Sequence, residues 1–239
     1  MHYCGVTPAA ASLQLCSLEE VRLPEPPVRL AATFYEPGSA EQVSAQVALL
    51  APVVVAIAAP ASGASDGRSG RACDEELRRR GVAPAPASEP AARLFGALAG
   101  LGLFAPAPGD VSPLTGPVPE AAFRTAALIE TNVDAVFAAL QGRRVPARRH
   151  PLGVLRRIEE LADDHVDDEG GDLWHRRIEE IEAAAVALAA HRYAVGHASW
   201  IGDPQEGVVV LPGTRAPVRF SASGVMPPVE RSPLPDAVS

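Results

Sequence analysis

The chain has no lysine: all 21 of its basic residues are arginine. Aromatic residues make up 5% of its 239 residues, and there are three cysteines. The arginine-only usage, with 24 prolines and abundant alanine, reads as compositional bias and not as a functional signal. Cys4, Cys16 and Cys73 are odd in number and scattered, with no Cys-x-x-Cys, so a disulfide framework is excluded and buried thiols in a reducing compartment are expected. The six histidines never take a His-x-x-x-His spacing, which argues against a histidine metal site. No nucleophile elbow surrounds Ser62 or Ser65. The start of the chain lacks the basic and then apolar pattern of a signal peptide. The longest apolar stretch, 43–61, is broken by Pro52 and interrupted by Ser44 and Gln46. A helix followed by a buried strand explains it better than a membrane span. The expectation is a soluble, cytoplasmic protein without a membrane partner. A net charge of −8 makes tight nonspecific nucleic-acid binding a poor prior, unless a local basic patch overrides the total.

What is present starts with VVVAIAAP at 53–60, a short apolar run rich in β-branched residues that stops at Pro60 before a Gly/Ser loop. That pattern predicts a parallel strand buried on both faces. Loops at the carboxyl ends of such strands usually hold the active site, yet this end offers Ile57, Ala58 and Ala59, which bring no chemistry. Upstream, the runs at 2–7, 11–20 and 28–36 with short connections predict an antiparallel meander. Ser39 with Gln42 has the spacing of a capping box, which starts a helix into the buried strand.

Downstream, 71–81 reads as a short helix with acids early, arginines late and Gly81 as its stop. Residues 82–88 read as a linker, 89–104 as an apolar helix and 105–120 as a loop. A strand at 123–130 ends in Glu130, a short helix fills 131–142, and a basic loop at 143–150 leads to a helix opened by Pro151. Residues 165–172 read as an acidic turn, with Asp172 capping a long helix over 173–194. On that helix Trp174, Ile178, Ile181, Ala185, Leu188 and Ala189 share one face, and Glu182 falls on it while Glu179 and Glu180 point elsewhere. An inward carboxylate is costly unless paired, solvated or bound to a cation. A rim position paired with an arginine is the equal alternative. GVVVLP at 207–212 reads as a strand and 217–222 as a further one; the last dozen residues read as disordered. The chain divides into one domain, 1–212, and a Pro/Ser-rich tail, 213–239.

The arginine region 143–157, comprising Arg143, Arg144, Arg148, Arg149, Arg156 and Arg157, offers charge that can track a phosphate backbone. No aromatic residues interleave it, so a solvated basic face is the commoner case.

Several blocks together resemble the family called domain of unknown function 429, a predicted nuclease family with a ribonuclease H-like fold. They are the opening GVTP, the strand VVVAIAAP, the Arg-x-Cys-Asp-x-x-Leu-Arg run at 71–78, LIETNVDAVFAALQGRRVPARRHPLG at 128–153, RRIEEIEAAAVALAAHRYAVG and WIGDPQEGVVVLP. The resemblance implies an α/β fold with a mixed sheet, a three-stranded antiparallel meander plus parallel strands, and helices on both faces. It also implies acids at four positions. Two are kept as Glu130 and Glu182, the expected catalytic and metal-holding remnants, while Thr7 and Ala58 stand at the two lost positions. Arg71, Asp74, Arg148 and Arg149 are the implied substrate contacts. Enzymes of this fold gather carboxylates around two divalent cations that activate water and stabilise the leaving oxygen. Ala58 supplies no ligand to Mg²⁺ and Thr7 only a hydroxyl, so the expected cofactor is none, or a weakly bound Mg²⁺ or Mn²⁺. Two functions follow. One is a degraded family member acting as a binding or interaction module. The other is an active metal-dependent hydrolase on nucleic acid or a nucleotide, with Asp74 or Asp134 rebuilding the site. The implied partner is nucleic acid, met by the region from Arg143 to Arg157.

Overall fold

The computed structural model describes residues 1–21, 28–61, 70–100, 127–168, 171–203 and 206–217. The elements run β1 (His2–Ala9), β2 (Ser12–Val21), β3 (Arg29–Phe34), α1 (Ala40–Leu50), β4 (Val54–Ile57), α2 (Ala72–Arg79), α3 (Glu89–Gly100), β5 (Ala127–Glu130), α4 (Val133–Gln141), α5 (Pro151–Asp163), β6 (Val166–Asp168), α6 (Ile178–Ala194), β7 (Ala198–Asp203) and β8 (Gly207–Pro212). The main sheet has the order β5-β4-β1-β2-β3-β6. β1, β2 and β3 form the antiparallel meander, and β4 and β5 add in parallel on the β1 side. This is an α/β fold: a mixed sheet with helices on both faces. The predicted strand at 217–222 and the loop at 105–120 lie wholly or almost wholly outside the described residues.

Alternation along the strands divides the core in two. Tyr3, Cys16, Val54, Ala56, Ala58 and Ile129 face α4, α5 and α6, whereas Cys4, Val6, Val55, Ile57 and Leu128 face α1 and α3. The Ser39 capping box is formed in both directions, satisfying backbone donors at the start of α1 and worth about 1 kcal/mol. All three cysteines are buried free thiols, and burial pushes Cys4 and Cys73 up to about 12, far from nucleophilic range.

One glycine sets the distance between layers. A Cβ on Gly5 would lie 2.1 Å from the backbone nitrogen of Ala187 and 2.3 Å from the carbonyl oxygen of Ala183. The alanine-rich run from Ala183 to Ala190, broken only by Val186 and Leu188, lets α6 settle directly on β1.

Two sequence expectations need correction. Part of the acidic turn is strand: Val166–Asp168 is β6, which pairs in parallel with β3 and extends the sheet. Asp168 is buried there and receives two hydrogen bonds from Arg176, whose guanidinium stacks 4.6 Å above the Phe34 ring. The long helix is also interrupted. Asp172 caps a 3-10 turn, Leu173–His175, and the chain is extended at Arg176 and Arg177 before α6 starts. Trp174 is therefore off the α6 wheel and 55% exposed, not part of the apolar face. Beyond β8, Ala216 packs against the cluster of α2, α4 and the β7–β8 hairpin, and Pro217 is buried.

Candidate functional site

The carboxyl ends of β1, β4 and β5 lie side by side. Ala58 donates its backbone N–H to Val6 at 2.9 Å and Thr131 donates to Ile57 at 3.0 Å. These bonds make Thr7 and Ala58 neighbours, with Glu130 opposite Ile57 on the next strand. Alternation then separates them. Ala58 packs toward α6, and Thr7 donates from Oγ1 to the Glu179 carbonyl on α6 at 3.4 Å. Glu130 shares the parity of Ile57, which faces the other layer.

Glu130 is bound into a buried ion pair. Arg71, at the start of α2, donates to Oε2 at 2.7 Å and to Oε1 at 2.5 Å, and the Ala61 N–H adds a third bond at 3.0 Å. Arg71 spends its remaining donors on Asp74, at 3.2 and 3.1 Å. Burial would drive the proton off Arg71, but the hydrogen bonds it donates to Glu130 and Asp74 outweigh this and raise its pKa. Arg71 is 3% exposed, and Asp74 is its second counter-ion.

Glu182 occupies a second charge cluster. It is 6% exposed and faces inward, as its helical phase predicts. Arg148 from the basic loop bridges it at 3.2 Å and Glu179 at 2.8 Å. Helical phase points Glu179 and Glu180 away from Glu182, yet Glu179 shares Arg148 with it and Glu180 is buried at 8% against Arg177. The signal available for Glu179 was its spacing of three from Glu182, which puts both on adjoining turns. α6 is buried on nearly every side, so one apolar stripe does not describe it.

The basic loop is held from beneath. Arg157, 1% exposed, donates to the carbonyls of Pro146 at 2.9 Å and Gly153 at 3.1 Å and to Asp134 at 2.7 Å, with its guanidinium 5.1 Å from the Phe137 centroid. Gly153 allows the contact, since a Cβ there would fall 2.2 Å from the Ala147 carbonyl. Arg157 is thus structural, whereas Arg143, Arg144 and Arg149 are exposed and Arg148 is 44% exposed. Asp74 attends Glu130 through Arg71, whereas Asp134 pairs with Arg157 and acts on Glu182 only through space. The predicted single acid site is two clusters in this fold.

Burial is the main force on Glu182. It pushes the carboxyl up to about 7, and Arg148 and Arg157, which pull down, do not cancel it; Asp134 and Glu179 push further up. The folded carboxyl therefore keeps its proton over a range in which the unfolded one, with an ordinary value of 4.5, has lost it. Stability from this group is full below pH 4.5 and is lost as pH rises toward 7, by roughly 3 kcal/mol at the end of that window. Glu182→Gln should accordingly stabilise the protein above pH 7 and make no difference near pH 4, in urea melts across that range.

A pair of divalent cations, which the family resemblance implies, does not fit these side chains. Thr7 and Ala58 contribute no carboxylate, both Glu130 oxygens are taken by Arg71, and Glu182 is held by Arg148. Among the described residues no group of three or more His, Cys, Asp and Glu is placed to hold a metal ion. No described helix is long and apolar enough to cross a membrane.

No family model matches the chain, and no curated protein matches it. Among solved structures, one titled "Thermus thermophilus RuvC structure" is similar over 79% of this chain and 91% of that one, at 15% identity and a TM-score of 0.39.

Proposed function

We propose that this chain is a non-catalytic member of the domain of unknown function 429 family, a ribonuclease H-like scaffold now serving as a binding or interaction module. The observation that carries the reading is the state of its two remaining acids: each is held by an arginine, Glu130 by Arg71 and Glu182 by Arg148. A guanidinium paired to a carboxylate occupies the lone pairs that a hard cation needs. For Glu130 the pair is buried, so a metal would have to expel Arg71 into an apolar surrounding.

The test is calorimetric titration of Mg²⁺ and Mn²⁺ into the purified protein, with a cleavage assay on single- and double-stranded nucleic acid. Neither tight binding nor cleavage is expected. Robust metal-dependent cleavage that Glu182→Gln abolishes would overturn the proposal; that variant suits the test because it is expected to fold at least as well as the parent. The result would favour the second reading, an active metal-dependent hydrolase on nucleic acid or a nucleotide, whose support is the proximity of Glu179 and Asp134 to Glu182.

Repair of the site gives a separate prediction. Thr7→Asp with Ala58→Asp puts two carboxylates at adjacent strand ends on the Glu182 face. Without metal the acids repel, so the double variant should melt below the parent in chelator. Metal bound only by the folded state should then raise its melting temperature, while the parent hardly responds. A well-folded double variant that ignores both ions would show that the strand ends no longer converge on a metal-sized site.

A further inference from the structure

Between α2 and β7 runs an open groove of about 350 Å³, with Glu75, Glu76, Arg79 and Arg80 on the helix side and Trp200 and Gly202 on the strand side. Its charges are unevenly used. Glu76 takes both Arg79 and Arg80, whereas Glu75 has no ion-pair or hydrogen-bond partner among the described residues. Trp200 is only half-buried there, so part of a large aromatic face stays open beside an unpaired acid.

The chain itself arrives at this rim. After β8 it turns back, Ala216 packs against the cluster that includes Cys73, Leu77 and Ile201, and Pro217 is buried. The Pro217 carbonyl accepts a hydrogen bond from Arg80, one of the residues lining the groove. The next residues are Val218, Arg219 and Phe220. Within three residues, at most about 10 Å of extended chain, the sequence thus supplies an apolar, a basic and an aromatic side chain beside a groove that offers an aromatic face and a free carboxylate.

We propose that the groove between α2 and β7 is the docking site of this chain's own segment 218–222, with Phe220 covering Trp200 and Arg219 pairing with Glu75. An extended segment sends alternate side chains to opposite walls. With Phe220 docked on the strand wall beside Trp200, alternation sends Arg219 to the helix wall, where Glu75 is the acid that Arg79 and Arg80 leave open. The inference is independent of the reading given to the acids at the other strand ends.

The two tryptophans permit a direct test. Trp174→Phe removes the exposed one and leaves Trp200 as the reporter in the full chain. Ending that chain after Pro217 should red-shift the emission and raise acrylamide quenching about twofold as the ring is uncovered. A synthetic peptide of residues 218–239 should reverse both changes, and only near millimolar concentration, because docking on the intact chain is intramolecular. Full-length Phe220→Ser and Arg219→Glu should reproduce the truncation, and a Glu75→Arg, Arg219→Glu double variant should regain the covered state. These substitutions keep the test decisive if the shortened chain does not fold. Identical emission and quenching in the parent and both single variants would overturn the proposal. So would a covered state that disappears on hundredfold dilution, which would assign the groove to the tail of a second copy.

Discussion

Gly5→Ala is expected to abolish the native fold, or to cost about 4 kcal/mol or more where any folded protein is recovered. The atoms in the way are backbone atoms of α6, at Ala183, Val186 and Ala187, so no rotamer change relieves the clash. The helix would have to lift from the centre of the sheet, giving up its seat on β1, β2 and β4 together. Gly96→Ala is the matched control. Gly96 lies on the exposed side of α3, and a Cβ there meets nothing within 4 Å. Alanine at that site should be stabilising by up to about 1 kcal/mol through helix propensity and a less flexible unfolded chain. Urea melts of the two variants beside the parent separate a steric seam from a general dislike of substituting glycine.

Arg71→Met should destabilise the protein by about 3–5 kcal/mol. It strands Glu130, 8% exposed, with a single N–H donor from Ala61. Glu130→Leu should cost less, since Arg71 retains two bonds to Asp74. The two changes together should lie closer to the parent than Arg71→Met alone, because the uncompensated charge has gone. A double-mutant cycle measures the coupling. Strict additivity would show that the pair does not act as a unit, and that Glu130 keeps its charge through some other means.

The meander, the capped α1 and the parallel strand were legible in the sequence because each carries a local signal: alternation at Leu13 and Leu15, the Ser39–Gln42 box, and the β-branched run ending at Ile57. β6 was not legible. Its three residues, Val166, Asp167 and Asp168, include two acids, which ordinarily mark a turn. They become strand through a partner remote in the chain and through Arg176, which covers Asp168. Helical phase puts Glu182 on the inner face, with an arginine-paired rim position as the equal alternative, and the structure has it buried and paired with Arg148. The same arithmetic misplaces Trp174, since it assumes one helix where the chain is extended at Arg176 and Arg177. The pairing of Arg71 with Glu130 has no sequence signal. It follows from how α2 is brought to the end of β5, which is a property of the tertiary fold.

The parallel edge strand β6 bears on the order in which the protein assembles. The β1–β2–β3 meander joins segments close in sequence, so its loops close cheaply and early. β6 docks on β3 across most of the chain, so its closure costs more entropy and comes later, and it holds three residue pairs, Leu30 with Val166 through Ala32 with Asp168. A strand so short and so late is a weak point in time as well as in space. Amide exchange should find Val166 and Asp168 opening well before Val6 and Leu15 at the middle of the sheet.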